Sequence, residues 1–199
     1  MSDITANTHQ AAYLTQGEVI LNKNGSLVPA FYHSKCGGKT HMPEQVWGNQ
    51  VDGYKSIECP FCHSKGQASW NYKSSQKSMV NQLLNLAWPK NPYKKTSFPL
   101  SAIKFFSHGP NDQLINFNFH DQILSVRKAQ IRKVIGRNKI SSTNFSINWT
   151  PYFVSFSGEG LGHGVGMCQI GAYELAKRGY NYRQILSFYY PDFQVKNYY

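Results

Sequence analysis

At 199 residues with 41% hydrophobic side chains, the chain is long enough to bury the core of one domain, or of one domain with a small lobe. No apolar run reaches the roughly 18 residues a membrane helix needs. Met1 is not followed by the basic and apolar segments of a signal peptide, so an export signal is expected to lie outside this chain. The net charge of +11, from 21 Lys and Arg against 10 Asp and Glu, favours a polyanionic partner: nucleic acid, anionic lipid or a carboxylate-bearing glycan. The 13 Tyr, 12 Phe and 4 Trp offer faces that stack on sugars or bases, although most aromatic rings in a folded domain fill its core.

Met1 to Gln16 is polar without a period and reads as an extension preceding a domain at 17–199. Gly17–Asn22 and Leu27–His33 flank Asn24-Gly25, a turn signal that predicts a β-hairpin. Residues 34–65 read as a long loop, rich in Gly and Pro and holding most of the Cys and His residues. Met79, Val80, Leu83, Leu84 and Ala87 form a helical stripe over 75–88 that stops at Pro89. Residues 102–107 and 114–120 predict a second hairpin. Asp121 then caps a predicted helix carrying Ile123, Leu124, Ile131, Val134 and Ile135, ended by Gly136. Phe145–Trp149 and Tyr152–Phe156 predict a third hairpin, and helices follow at about 168–178 and 182–190, the first stopped by Gly179 and the second by Pro191. The fold class expected is α+β: antiparallel hairpins packed with several helices, plus the long Cys/His-containing loop.

Two constellations carry chemistry. Gly160-Leu161-Gly162-His163-Gly164-Val165-Gly166-Met167 sets an imidazole among glycines just before a helix; this is either a ligand cradle with free backbone amides or a tight turn around a hydrogen-bonded His163. Cys36, His41, Cys59 and Cys62, with His63 adjacent, have the residue types of a closed tetrahedral zinc site built on a Cys-x-x-Cys knuckle. A Cys59–Cys62 disulfide and reduced buried thiols are the alternatives. Cys168 reads as a buried hydrophobe.

Gly160-x-Gly162-His163-Gly164-x-Gly166-Met167-x-Gln169-x-Gly171-Ala172 resembles the signature that closes the SpoIID/LytB (stage II sporulation protein D) domain. Ala176-x-x-Gly179-Tyr180 and Ile185-Leu186-x-x-Tyr189-Tyr190-Pro191 follow in that family's order. Tyr32-His33-Ser34-x-Cys36-Gly37-Gly38-x-Thr40 with Val46-Trp47 resembles its other signature, and 132–136 with 142–145 resembles the stretch between them. The resemblance runs from about Gln16 to Tyr190.

It implies a lytic transglycosylase. A glutamic acid protonates the MurNAc–GlcNAc bond, and the MurNAc 6-hydroxyl closes a 1,6-anhydro ring, so one carboxyl serves as acid and then base. In the family that glutamate sits on a helix ahead of the Tyr-His-Ser segment. Here only Asp3 and Glu18 precede His33, so the acid is expected in a segment upstream of this chain. Glu44 is the one internal candidate, with pairing to Lys39 as its bland alternative. The resemblance puts His33, Glu44, Gly162, His163, Gly164 and Gln169 along a glycan groove. It implies peptidoglycan strands and other cell-wall remodelling enzymes as partners, in the bacterial envelope. A non-catalytic peptidoglycan-binding module is the second reading. A basic zinc-knuckle protein for nucleic acid is the third, disfavoured by scattered basic residues such as Lys94-Lys95 and Arg132-Lys133.

Overall fold

The computed structural model describes residues 6–61, 69–87, 103–105, 109, 112–119 and 122–198. Cys62, His63, the Pro89 stop and the Asp121 cap lie outside the described residues. In chain order the elements are α1 (Ala6–Leu14), β1 (Glu18–Leu21), β2 (Tyr32–His33), α2 (Pro43–Trp47), β3 (Ser69–Ser75), α3 (Gln76–Ala87), β4 (Ile103–Phe105), β5 (Leu114–Phe119) and β6 (Gln122–Arg127). Then come α4 (Lys128–Ile135), β7 (Phe145–Trp149), β8 (Phe153–Glu159), β9 (Met167–Cys168), α5 (Gln169–Lys177), α6 (Tyr182–Tyr189) and β10 (Gln194–Asn197). The class is α+β, as expected. The strand pairs are antiparallel except β2 with β9, in sheets ordered β3-β8-β7, β4-β5-β6, β1-β10 and β2-β9.

One apolar cluster joins the two three-stranded sheets to α3 and α4. Strict alternation along β5 turns Ile115, Phe117 and Phe119 inward, all at most 1% exposed, and each contributes about 1.5–3 kcal/mol by leaving water. Met79, Val80, Leu83 and Leu84 of α3 close over them, as their helical spacing predicts. A second cluster gathers Cys36, Val46, Cys59, Val165, Cys168, Leu175, Ile185, Tyr189 and Tyr190, and so ties the 31–61 segment to α5 and α6. α4 lies between the two, with Ile131 in the first and Ala129 packed on the second. Its first residue, Lys128, is fully buried and donates from Nζ to the carbonyls of Gly109 (2.9 Å) and Phe145 (2.5 Å); burial pushes its pKa down to about 8, with Asp112 opposing.

Four expectations need correction. The helix expected from Asp121 begins only at Lys128, because 122–127 is β6, in register with β5 from Phe119↔Gln122 to Leu114↔Arg127. Leu124 and Val126 follow a period of two, and that pairing outweighs a helical spacing that holds only from Ile131 onward. The first hairpin forms its turn, with the Asn22 side-chain oxygen accepting from the N–H groups of Asn24 and Ser26, yet the return arm bridges only Leu27 to Leu21 before Pro29. β1 pairs instead with β10, and β2 with β9. The loop at 34–65 contains α2, started by Pro43 at its first position and closed by Gly48. The polar opening contains α1, which buries none of its residues.

Candidate functional site

The glycine-rich segment is threaded between the 31–41 segment and 141–144. Leu161 exchanges backbone hydrogen bonds with Lys35 (2.8 and 2.9 Å), Gly162 N–H donates to Ser141 (2.9 Å), and His41 N–H donates to Gly164 (2.8 Å). The alternate glycines face this neighbour closely. A Cβ at Gly160 would lie 2.6 Å from the Lys35 oxygen, at Gly162 2.9 Å from the His33 Cβ, and at Gly164 2.8 Å from the His41 ring. The amides of Leu161, Gly162, Val165 and Met167 are all bonded within the protein, so close packing explains these glycines better than a ligand cradle does.

Beside this segment lies a cavity of about 440 Å³. Val46 and Trp47 of α2, Arg127, the α4 face with Gln130, Arg132 and Lys133, then Arg137, Thr143, Gly162 and His163 line it. The Trp47 and His163 rings meet at 5.0 Å between centroids. Arg127 donates to the carbonyls of Glu44 (3.1 Å) and Gln45 (3.0 Å), locking the end of α2 to α4, and Arg132 donates to those of Ile140 (2.9 Å) and Ser141 (3.0 Å). Among the described residues none of the four cations makes an ion pair and no carboxylate lines the cavity. A net positive hollow with an aromatic wall suits an anionic, ring-bearing ligand. All four cations come from one stretch, 127–137, so the charge of this wall is local in sequence and its aromatic side comes from α2.

His163 Nδ1 accepts from Val165 N–H (3.1 Å), which puts the ring proton on Nε2. Burial, then the nearby His33, lowers its pKa to about 4, against a hydrogen bond to the Tyr32 backbone that raises it, so the ring is neutral at pH 7.

Behind this wall, the parallel register of β2 and β9 sets His33 directly beside Cys168. With Cys36 they form a buried cluster whose donor atoms all lie within 4.8 Å of one another. His33 Nδ1 donates to the Val165 carbonyl (3.1 Å), leaving Nε2 buried and with no partner among the described residues. An oriented imidazole with an open lone pair beside two thiols could hold a metal ion. Cys59 adjoins it, its Sγ 3.1 Å from the Tyr189 hydroxyl. That phenol's pKa is driven upward by burial first, then by Cys59, with smaller contributions from Cys168 and Cys36.

The sequence-predicted residues are thus partly gathered. Cys36 is in the cluster, joined by His33 and Cys168 in place of His41 and Cys59; Cys62 lies outside the described residues. His41 Nε2 faces the Gln113 amide (3.2 Å). Gly162 and His163 line the cavity; His33 lies behind His163 at 5.7 Å between ring centroids, and Gln169 is exposed at the start of α5. Glu44 does not line the cavity, and its Oε2 is buried with no partner among the described residues; Lys39 pairs with Glu58 at 2.7 Å. The residues missed as site residues are Trp47, Arg127, Arg132, Lys133 and Arg137, of which Trp47 carried a signal in Val46-Trp47 and Arg132 in the stretch 132–136.

Burial lowers the His41 pKa to about 4, with Lys128, His33 and Lys39 adding to the effect. The unfolded chain takes up this proton below its ordinary value of 6.5 and the folded chain does not. The stabilisation is therefore full above pH 6.5 and is lost as pH falls toward 4, by about 3 kcal/mol. Urea unfolding from pH 7 to pH 4 is expected to show that loss shrinking in His41→Asn. Equal pH slopes in the two proteins would sink the assignment.

No family model matches the chain. It is 28% identical over 192 residues to an uncharacterized protein of Brachyspira hyodysenteriae, covering 96% of this chain and 49% of the relative. The amidase enhancer of Bacillus subtilis is 27% identical over 239 residues, covering 97% and 33%. Stage II sporulation protein D of the same organism is 26% identical over 181 residues, covering 91% and 48%. The chain thus spans a third to a half of the length of these curated relatives. Relatives so named, aligned along nine-tenths or more of its length, support a SpoIID/LytB type of family for the chain.

Proposed function

We propose that this chain is the glycan-holding part of a cell-envelope protein that cleaves peptidoglycan strands as a lytic transglycosylase, leaving 1,6-anhydroMurNAc ends. The observation that carries the reading is the cavity in which Trp47 and His163 form a ring wall under Arg127, Arg132, Lys133 and Arg137. A sugar ring stacks on the indole while the lactyl or stem-peptide carboxylates of MurNAc meet the cations. Relatives named amidase enhancer and stage II sporulation protein D support a cell-wall setting. Among the described residues no helix is long and apolar enough to cross a membrane. With no carboxylate among the described residues lining the cavity, the acid is assigned to another segment of a longer polypeptide. His33, Cys36 and Cys168 are proposed to hold a structural Zn²⁺, which would fix the wall behind His163.

The test is incubation of purified glycan strands with this chain and with its longer polypeptide, followed by mass spectrometry. This chain is expected to retain strands without producing anhydro ends, and the longer polypeptide to produce them. Trp47→Ala should weaken retention by up to about tenfold. Anhydro ends from this chain that vanish in Glu44→Gln would move the acid to Glu44. No cleavage by either protein, with retention intact, would leave a binding module. Retention that DNA abolishes and free glycan does not would favour nucleic acid.

A further inference from the structure

A second cavity, of about 460 Å³, adjoins the other end of the same glycine-rich segment, and its chemistry is the reverse of the first. Trp70, Asn71, Asn144 and Glu159 line it, over a floor at Gly37 and Gly158. The nine lining residues include no cation, in a chain of net charge +11. Trp70 is half-buried and held fixed, its indole N–H donating to Ser142 Oγ (3.0 Å) and its ring edge-on to Phe145 at 5.7 Å. The floor is closely packed, since a Cβ at Gly37 would lie 2.6 Å from the Asn144 amide nitrogen and one at Gly158 2.6 Å from the Asn144 carbonyl. Asn144 is 8% exposed; its amide donates to Gly37 O (3.3 Å), while its Oδ1 is buried with no partner among the described residues. A buried amide oxygen without a partner is an exception in a folded protein and leaves an acceptor for an incoming donor. Glu159 makes no ion pair among the described residues.

We propose that this cavity is a subsite for an uncharged N-acetylated hexosamine ring, adjacent on one glycan strand to the carboxylate-bearing sugar held by the Trp47 groove; this rests on the glycan-strand reading above. Glu159 in the second cavity and Gly162 in the first are three residues apart, a span of at most roughly 11 Å along the backbone, so one extended strand reaches both. The fixed indole stacks under the C–H face of the sugar. Asn71, Asn144 and Glu159 meet its hydroxyls and its acetamido N–H, the carboxylate making the stronger, charge-assisted bond. Glu159 also repels a lactyl or stem-peptide carboxylate, which the four cations of the first groove attract. The two hollows together read the alternation of neutral and acidic sugars and thereby set the register of the strand.

The test is titration of the chain with the neutral trimer of N-acetylglucosamine, followed by the indole N–H signals in NMR. The Trp70 signal is expected to shift. Asn71→Ala, at an exposed position, and Trp70→Phe should each weaken binding about five- to tenfold, and Tyr13→Ala, on the exposed α1 and outside both cavities, should leave it within about twofold. Glu159→Gln should let N-acetylmuramic acid compete where the unaltered chain excludes it. Trimer affinity untouched by both Asn71→Ala and Trp70→Phe would overturn the subsite. An unaltered chain that binds no trimer while still retaining purified strands would also overturn it and leave the glycan-strand reading in place; an unaltered chain that does neither would remove the two together.

Discussion

Gly166→Ala is expected to cost about 2–5 kcal/mol and to lower the melting temperature by on the order of 10 °C. Gly166 has φ +72, and a Cβ there would be driven into the Phe31 carbonyl oxygen. Two penalties add: roughly 1–2 kcal/mol for an L side chain in the left-handed region, and an overpacking cost of about 1–3 kcal/mol against a backbone that cannot rotate away. The Phe31 oxygen is already fixed, accepting from Met167 N–H (3.0 Å) and from the Tyr190 hydroxyl (2.5 Å). Relief by moving Phe31 would therefore pull on the β2–β9 pairing that aligns His33 with Cys168. Gly179→Ala is the control, because Gly179 has φ +89 with nothing within 4 Å of its Cβ position, so only the conformational cost applies. Differential scanning calorimetry of both variants decides the matter. Equal losses would mean that left-handed geometry alone explains Gly166 and that the close approach to Phe31 carries no energy.

The elements legible in the sequence are those whose signals are local. α3 announced itself through one apolar stripe, α6 through its stop at Pro191, and the β7–β8 hairpin through the strand-like runs on either side of Thr150-Pro151. β6 was misread because Ile123 and Leu124 fit a helical template as well as a strand, and only the partner strand β5 breaks the tie. β10 closing on β1 joins the two ends of the domain, a pairing that no window of neighbouring residues contains. The site divides in the same way. Gly162 and His163 were conspicuous because four glycines crowd one short segment. The cationic groove was invisible because Trp47 and Arg127 lie 80 residues apart and meet only when α2 docks on α4. The Cys-x-x-Cys spacing drew attention to Cys59 and Cys62, whereas His33 and Cys168 become neighbours solely through a two-residue parallel pairing.

That long-range pairing leads to the second large effect, removal of the metal. The chain purified without chelator is expected to contain one zinc per molecule, and stripping it with a strong chelator should lower the melting temperature by on the order of 10 °C. A ligand present at a thousand times its dissociation constant and binding only the folded state contributes about 4 kcal/mol, enough for a shift of that size in a chain of this length. Cys36→Ala and Cys168→Ala should abolish the zinc and make stability indifferent to chelator, since each removes a buried thiol from the cluster. His33→Gln should do the same by removing the lone pair on Nε2. His41→Asn should retain the zinc, because that imidazole is turned to Gln113 and lies outside the cluster. Metal analysis of the four variants separates the two possible ligand sets directly. Zinc kept in His33→Gln and lost in His41→Asn would restore the Cys36, His41, Cys59 and Cys62 set. An unaltered chain free of zinc and insensitive to chelator would leave the three residues as a buried, hydrogen-bonded knot whose role is to hold β2 against β9.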